Sequence, residues 1–178
     1  MSRSQHVTGA DEAAQALRSV PDQLQRSRVL RNALAAGARV VRNAAQAAAP
    51  VLAKATKRRT PGLLRKSIKV RTSKRDKAAG DVGVFVNVKP AGKGQRGAAS
   101  PLDPYYWQWV EFGRKAGQTR RKVRTRKQLL RRVRVVRVGP MEAVGFLQAG
   151  ARQLPAALQV ITPAVARGVA KLNQRSAR

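Results

Sequence analysis

Apolar positions between Leu30 and Ala48 recur in steps of four and three (Leu30, Leu34, Ala38, Val41, Ala45, Ala48), and Arg28, Arg31, Arg39 and Arg42 line the opposite side. That period predicts a long amphipathic helix. Ser19-Val20-Pro21-Asp22 supplies its start, with Pro early and an acid in the first turn. Pro50 ends or kinks it near Ala49 by removing a backbone donor. Upstream, Thr8-Gly9-Ala10-Asp11 reads as a capping box that opens a shorter helix to about Ser19. The period then changes. After the turn at Thr60-Pro61-Gly62, Leu64, Ile68, Val70 and Thr72 alternate with Arg65, Ser67, Lys69 and Arg71, the pattern of a half-buried strand with a cationic outer face. Asp76 to Gly80 forms a turn. Val82, Val84, Val86 and Val88 alternate with Gly83, Phe85 and Asn87, which predicts a second strand and a hairpin. Lys89 to Ser100, with three Gly and a Pro, is a loop.

Beyond the loop, Asp103 is placed to cap a short helix, Pro104 fits its first turn, and Gly113 stands just past its end. Five of the seven aromatic residues fall in Tyr105–Gly113. Tyr105, Trp109 and Phe112 share one face at i, i+4, i+7 and are expected in the core. Tyr106 and Trp107 point elsewhere, to core or to a neighbouring subunit, and with Glu111 they are the candidate subunit-interface residues. Arg114 to Lys127 has almost nothing to bury and reads as an arm or hairpin tip. Arg132–Val138 can form a third strand, its alternation slipping at Val135-Val136, where a bulge would fit. Met141 to about Asn173 is expected as two helical pieces, with Pro155 and Pro163 starting or kinking turns. Its packing residues are Phe146, Leu147, Leu154, Leu158, Val160, Ile161, Val165, Val169 and Leu172. The order predicts an α+β fold, a small antiparallel sheet packed by a long N-terminal helix, a short aromatic helix and a C-terminal helix. Residues 1–20 form an arm and short helix, 21–173 a single domain with a basic arm at 114–130, and 174–178 a basic tail.

Charge changes this picture most. There are 38 Lys and Arg against 8 acids, a net charge of +30. Twenty-two of the 38 lie in two segments, Lys57–Lys77 and Arg114–Arg137, and the second holds no acid. Such an excess favours anionic partners, nucleic acid or an acidic protein surface. Lys66, Lys69, Arg71, Arg120, Arg121, Arg124, Arg132 and Arg134 are the candidate contacts. Nothing resembles a recognition helix or zinc finger, and aromatics do not alternate with the basic runs, so backbone contact without base readout is the limit for a nucleic-acid partner. Catalysis has little to draw on. The one histidine, His6, has no nucleophile or carboxylate nearby in sequence, and no paired acids or metal-ligand spacing stand out. No enzyme activity, cofactor or metal is expected. With no cysteine, no signal-peptide core and a longest uncharged run of 14 residues broken by two prolines, the chain reads as soluble in a reducing cytoplasm and not membrane-bound.

Four stretches in order resemble the neck proteins of tailed bacteriophages, labelled tail-component, tail-completion or head–tail joining proteins. Leu30 to Val41, leading into Ala49-Pro50, resembles the family's long first helix. Thr60-Pro61-Gly62-Leu63-Leu64-Arg65-Lys66-Ser67-Ile68 is similar to its threonine-glycine-leucine-arginine-x-serine-isoleucine entry into the sheet. Tyr105 to Gly113, ending Val110-Glu111-Phe112-Gly113, is similar to its aromatic segment. Phe146-Leu147 resembles the opening of its closing helix, although Gln148-Ala149 stands where a proline is usual, and the basic arm is longer than in the family. The resemblance implies a non-enzymatic α+β subunit of the virion that assembles in the host cytoplasm. It forms a ring of six between head connector and tail tube, with other neck and tail-tube proteins and packaged DNA as partners. The alternative is a free, sequence-independent nucleic-acid binder of nucleoid or ribosome type, which explains the charge but not the ordered motifs.

Overall fold

The computed structural model describes residues 10–20, 22–56, 59–98, 100–123 and 132–176, with the backbone alone for residues 10, 118–123, 132–136 and 175–176. Helix α1 spans Ala10–Arg18 and α2 spans Gln23–Ala48. Asp22 is itself the cap of α2 rather than a first-turn residue: its carboxylate accepts from the Leu24 N–H at 2.8 Å. Such a cap is worth about 1 kcal/mol. Ala49 is already extended before Pro50, so the helix ends there without a kink. The buried line of α2 is Val29, Ala33, Gly37 and Ala45. It meets the expected stripe at Ala45 and elsewhere lies one residue from it; Leu30, Leu34, Ala38 and Val41 are half-buried and Ala48 is exposed. The smallest side chains sit where the neighbouring helix comes closest, and the leucines flank that contact.

Helix α3, Leu63–Ser67, replaces the first half of the expected strand, and β1 is confined to Ile68–Thr72. Leu64 and Ile68, both fully buried, satisfy a period of four as well as a period of two. The helix opens where Gly62 turns the chain at φ 71°, and at its end the Ser67 hydroxyl donates back to the Leu63 carbonyl at 2.7 Å. A short α4, Lys74–Ala78, stands in place of the expected turn, its N-terminus capped by the Ser73 hydroxyl accepting from the Asp76 N–H. Strand β2, Val84–Val88, pairs antiparallel with β1, Ile68 opposite Val88 and Thr72 opposite Val84, as the alternation predicted. Helix α5 is Trp107–Phe112, and β3, Gly117–Val123, pairs with β4, Arg132–Val138, in a second two-stranded sheet separate from the first. Pairing from Gly117↔Val138 to Val123↔Arg132 is one-to-one, so Val135-Val136 forms no bulge. The part of the arm that pairs is a hairpin stem rather than a loose tip.

Helix α6 is Phe146–Ala151, and α7, Leu154–Ser176, runs unbroken through Pro163. Pro163 and Gln159, whose carbonyl loses its partner there, are both exposed, so water can take the place of the missing bond. Leu154 is 55% exposed and not the packing residue expected. Helices α2 and α7 lie antiparallel, Gly37 against Ile161 and Gly168 against Val29, so close that a Cβ at either glycine would stand 2.6 Å from the opposing side chain. Val20, Val29, Ala33, Val165 and Val169 form one core with α1 beside it. The second core gathers Ala45, Ala49, Leu64, Ile68, Val88, Tyr106, Val110 and Phe146 from six elements and segments. The fold is α+β, with α2 and α3 packed on the small antiparallel β1–β2 hairpin. Among the described residues no helix is long and apolar enough to cross a membrane.

Candidate functional site

The segment Tyr105–Gly113 lies over the second core, but its helix starts three residues later than the sequence suggests. Tyr106 is the cap of α5 and makes no side-chain capping bond. Asp103 caps nothing. Its buried carboxylate accepts from the Ala91 N–H at 3.1 Å and the Gly97 N–H at 2.6 Å, holding the Lys89–Ser100 loop against the fold. Tyr105 and Trp109 do share a face, packed edge-on with ring centres 5.7 Å apart. Phe112 does not join them: it is 75% exposed. A helix that begins at Trp107 places Val110 and Glu111 inward instead, and Phe112 outward.

Glu111 is 5% exposed and faces no cation. One carboxylate oxygen accepts from the Leu147 N–H at 2.8 Å and the other from the Gln148 N–H at 3.1 Å. Helix α6 begins after Gly145, which has no side chain to cap it, and Glu111 reaches across to satisfy its free donors. The backbone closes the same joint: Val144 N–H donates to the Val110 carbonyl, Gly145 N–H to that of Glu111, and Arg114 and Met141 exchange both bonds at 2.8 Å. Gly113, at φ 76°, has no room for a Cβ, which would lie 2.9 Å from the Met141 carbonyl oxygen. The two short motifs of the sequence, Glu111-Phe112-Gly113 and Phe146-Leu147, thus form one joint. The sequence signal for it was an acid within an apolar helix, and a second helix opening without a capping side chain.

Of the candidate interface residues, Tyr106 is 7% exposed and Trp107 half-buried, both against this core. The Arg59 guanidinium stands 5.1 Å from the Tyr106 ring centre. Burial pushes the Tyr106 phenol up from its ordinary 10.0, opposed by the Arg59 charge and assisted by Tyr105. Arg114 stacks over Trp109 at 5.0 Å and donates to the Gly139 carbonyl.

The cationic candidates fall in two places. Lys66 on α3 and Lys69 and Arg71 on the outer face of β1 are exposed, Arg71 resting 5.7 Å from the Phe85 ring centre. Arg120 and Arg121 belong to β3 and Arg132 and Arg134 to β4, where the register sets Arg121 directly opposite Arg134. Like charges placed opposite one another weaken a ladder. Arg124 lies outside the described residues. The described candidates therefore fall in two groups, one on α3 and β1 and the other on the β3–β4 hairpin. Among the residues whose side chains are described, no Lys or Arg forms an ion pair with a carboxylate. The acids that are buried, Asp103 and Glu111, bind backbone N–H groups, and Asp22 does the same at the start of α2.

Residues 11–113, more than half of the chain, match the HK97-gp10-like family, described as "Bacteriophage HK97-gp10, putative tail-component". No curated protein and no solved structure matches the chain. The matched span ends at Gly113, so Glu111 lies inside it and the helix it caps lies beyond.

Proposed function

Because the chain belongs to the HK97-gp10-like family of bacteriophage tail components, we propose that copies of it close into a ring, six as the resemblance implies. That ring completes the end of the tail and joins it to the head connector in the virion neck. Its role is structural and not catalytic. The observation that carries this reading is the charge: +30 per chain, with no ion pair to an acid at any Lys or Arg whose side chain is described. Subunits of one sign repel when packed side by side, and the repulsion grows with every copy added. An anion from outside must cancel it, either DNA passing through the ring or the acidic surfaces of neighbouring neck and tail-tube proteins. Lys66, Lys69, Arg71, Arg120, Arg121, Arg124, Arg132 and Arg134 would face that anion. Trp107 and the exposed Phe112 would make the subunit contact, with Tyr106 and Glu111 holding their helix in place from behind.

Reconstruction of the neck of the assembled virion tests this. The expected density is a closed ring of this chain between connector and tail tube, with the β1–β2 or β3–β4 hairpin against DNA or an acidic neighbour. A chain found singly, or with both hairpins facing solvent alone, contradicts it.

A further inference from the structure

Resting on the reading that this chain meets an external anion, we infer that the groove between α2 and α7 seats the phosphate backbone of a DNA duplex. The groove encloses about 480 Å³. Its floor is Val29 and Gly168, where the missing Cβ lets the helices close on each other. From the walls rise Arg28, Gln25 and Asn32 of α2 and Lys171 of α7, and no carboxylate lines it. Arg28, Gln25, Asn32 and Lys171 are all exposed. The row continues past the groove. Arg39 returns to the side of α2 that carries Arg28 three turns on, about 16 Å along the axis, and Arg167 precedes Lys171 by one turn on α7. About 16 Å of duplex carries roughly nine phosphate charges, enough to oppose every cation of this row.

Chemistry favours phosphate over an acidic protein. Protein partners are anchored chiefly by Trp, Tyr and Arg packed in desolvated pockets. This groove has no aromatic, and its Arg28 is exposed rather than enclosed. It offers cations beside neutral amide donors, which suit the many acceptor oxygens of a nucleic-acid backbone. The groove on the other flank of α2, lined by Arg31, Lys77 and Asp81, mixes both signs and has no such selectivity.

The test is fluorescence anisotropy of a labelled random-sequence duplex with the full chain, titrated between about 50 and 200 mM salt. The double variant Arg28→Gln/Lys171→Gln is expected to reduce the log-affinity against log-salt slope by about 2. The charge-matched control Lys93→Gln/Arg96→Gln is expected to reduce it by less than half as much. Circular dichroism should match the parent protein, since both groove residues are exposed. Equal reductions in the two variants overturn the groove. If the groove variant keeps the parent slope while Lys69→Gln/Arg71→Gln loses it, the groove inference fails and the anionic-partner reading stands. Binding to poly-glutamate but not to the duplex also overturns the groove and leaves an acidic neighbour as the partner. Failure to bind either polyanion overturns both.

Discussion

Glu111 is one of eight acids among 38 basic residues, yet its partners are two backbone N–H groups. Replacing it with Gln keeps the shape, removes one accepting oxygen and turns a donor toward a donor. Glu111→Gln is expected to cost about 1–3 kcal/mol, read as a lower denaturation midpoint with unchanged slope; an unmoved midpoint would show that the joint does not depend on the carboxylate. Tyr106 gives a pH dependence of definite sign. Its folded-state pKa lies above the ordinary 10.0, so its contribution is complete below pH 10.0 and is lost as pH rises toward the raised value. Unfolding free energies compared at about pH 9 and about pH 11 should show this loss, and Tyr106→Phe should lessen it. Asp103 and Phe112 show what residue-level reading can miss. A carboxylate directly before Pro and an apolar run looks like a cap, but here two loop N–H groups compete for it and win. Moving the start of α5 to Trp107 then rotates Phe112 out of the core.

At the scale of elements, the helices were largely legible and their faces less so. The steps of four and three and Pro50 located the body and the end of α2, but its start lies after Asp22, about three residues later than Ser19-Val20-Pro21 suggested. In an alanine-rich helix, however, the pattern cannot say whether the leucines or the small residues meet the neighbour. Gly37, with a Cβ position 2.6 Å from Ile161 and 2.9 Å from the Ala157 carbonyl, settles it for the small residues. Gly37→Ala sets a helix-propensity gain of about 1 kcal/mol against an overpacking cost of about 1–3 kcal/mol. Because one obstacle is backbone, a net loss is expected, visible as a lower melting temperature; a higher one would mean that α2 and α7 can separate freely. The opposite sign is expected at Pro163, exposed within α7 and lacking one helix bond. Pro163→Ala should raise stability by up to about 3 kcal/mol, and a fall would reveal a role for the proline outside the helix. Strands β1, β2 and β4 were legible from alternation, whereas β3, Gly117–Val123, shows none and reads as an arm. Leu64 and Ile68 fit two periods at once, and only the turn at Gly62 decided for helix.

For the whole molecule, sequence order and composition carried the α+β fold, the family and the charge, whereas the joint between Glu111 and α6 needed coordinates because its halves are 36 residues apart. Charge governs behaviour at this scale. A chain of +30 whose cations, where their side chains are described, form no ion pair with a carboxylate is strained by its own field, and salt should relieve it. The measurement that bears most directly on assembly is sedimentation velocity of the purified chain at low and high salt, with and without duplex DNA. Slow, small species at low salt should give way to a discrete multi-subunit species when either salt or DNA is added. A strict monomer under all four conditions would contradict a collar held together by charge cancelled from outside.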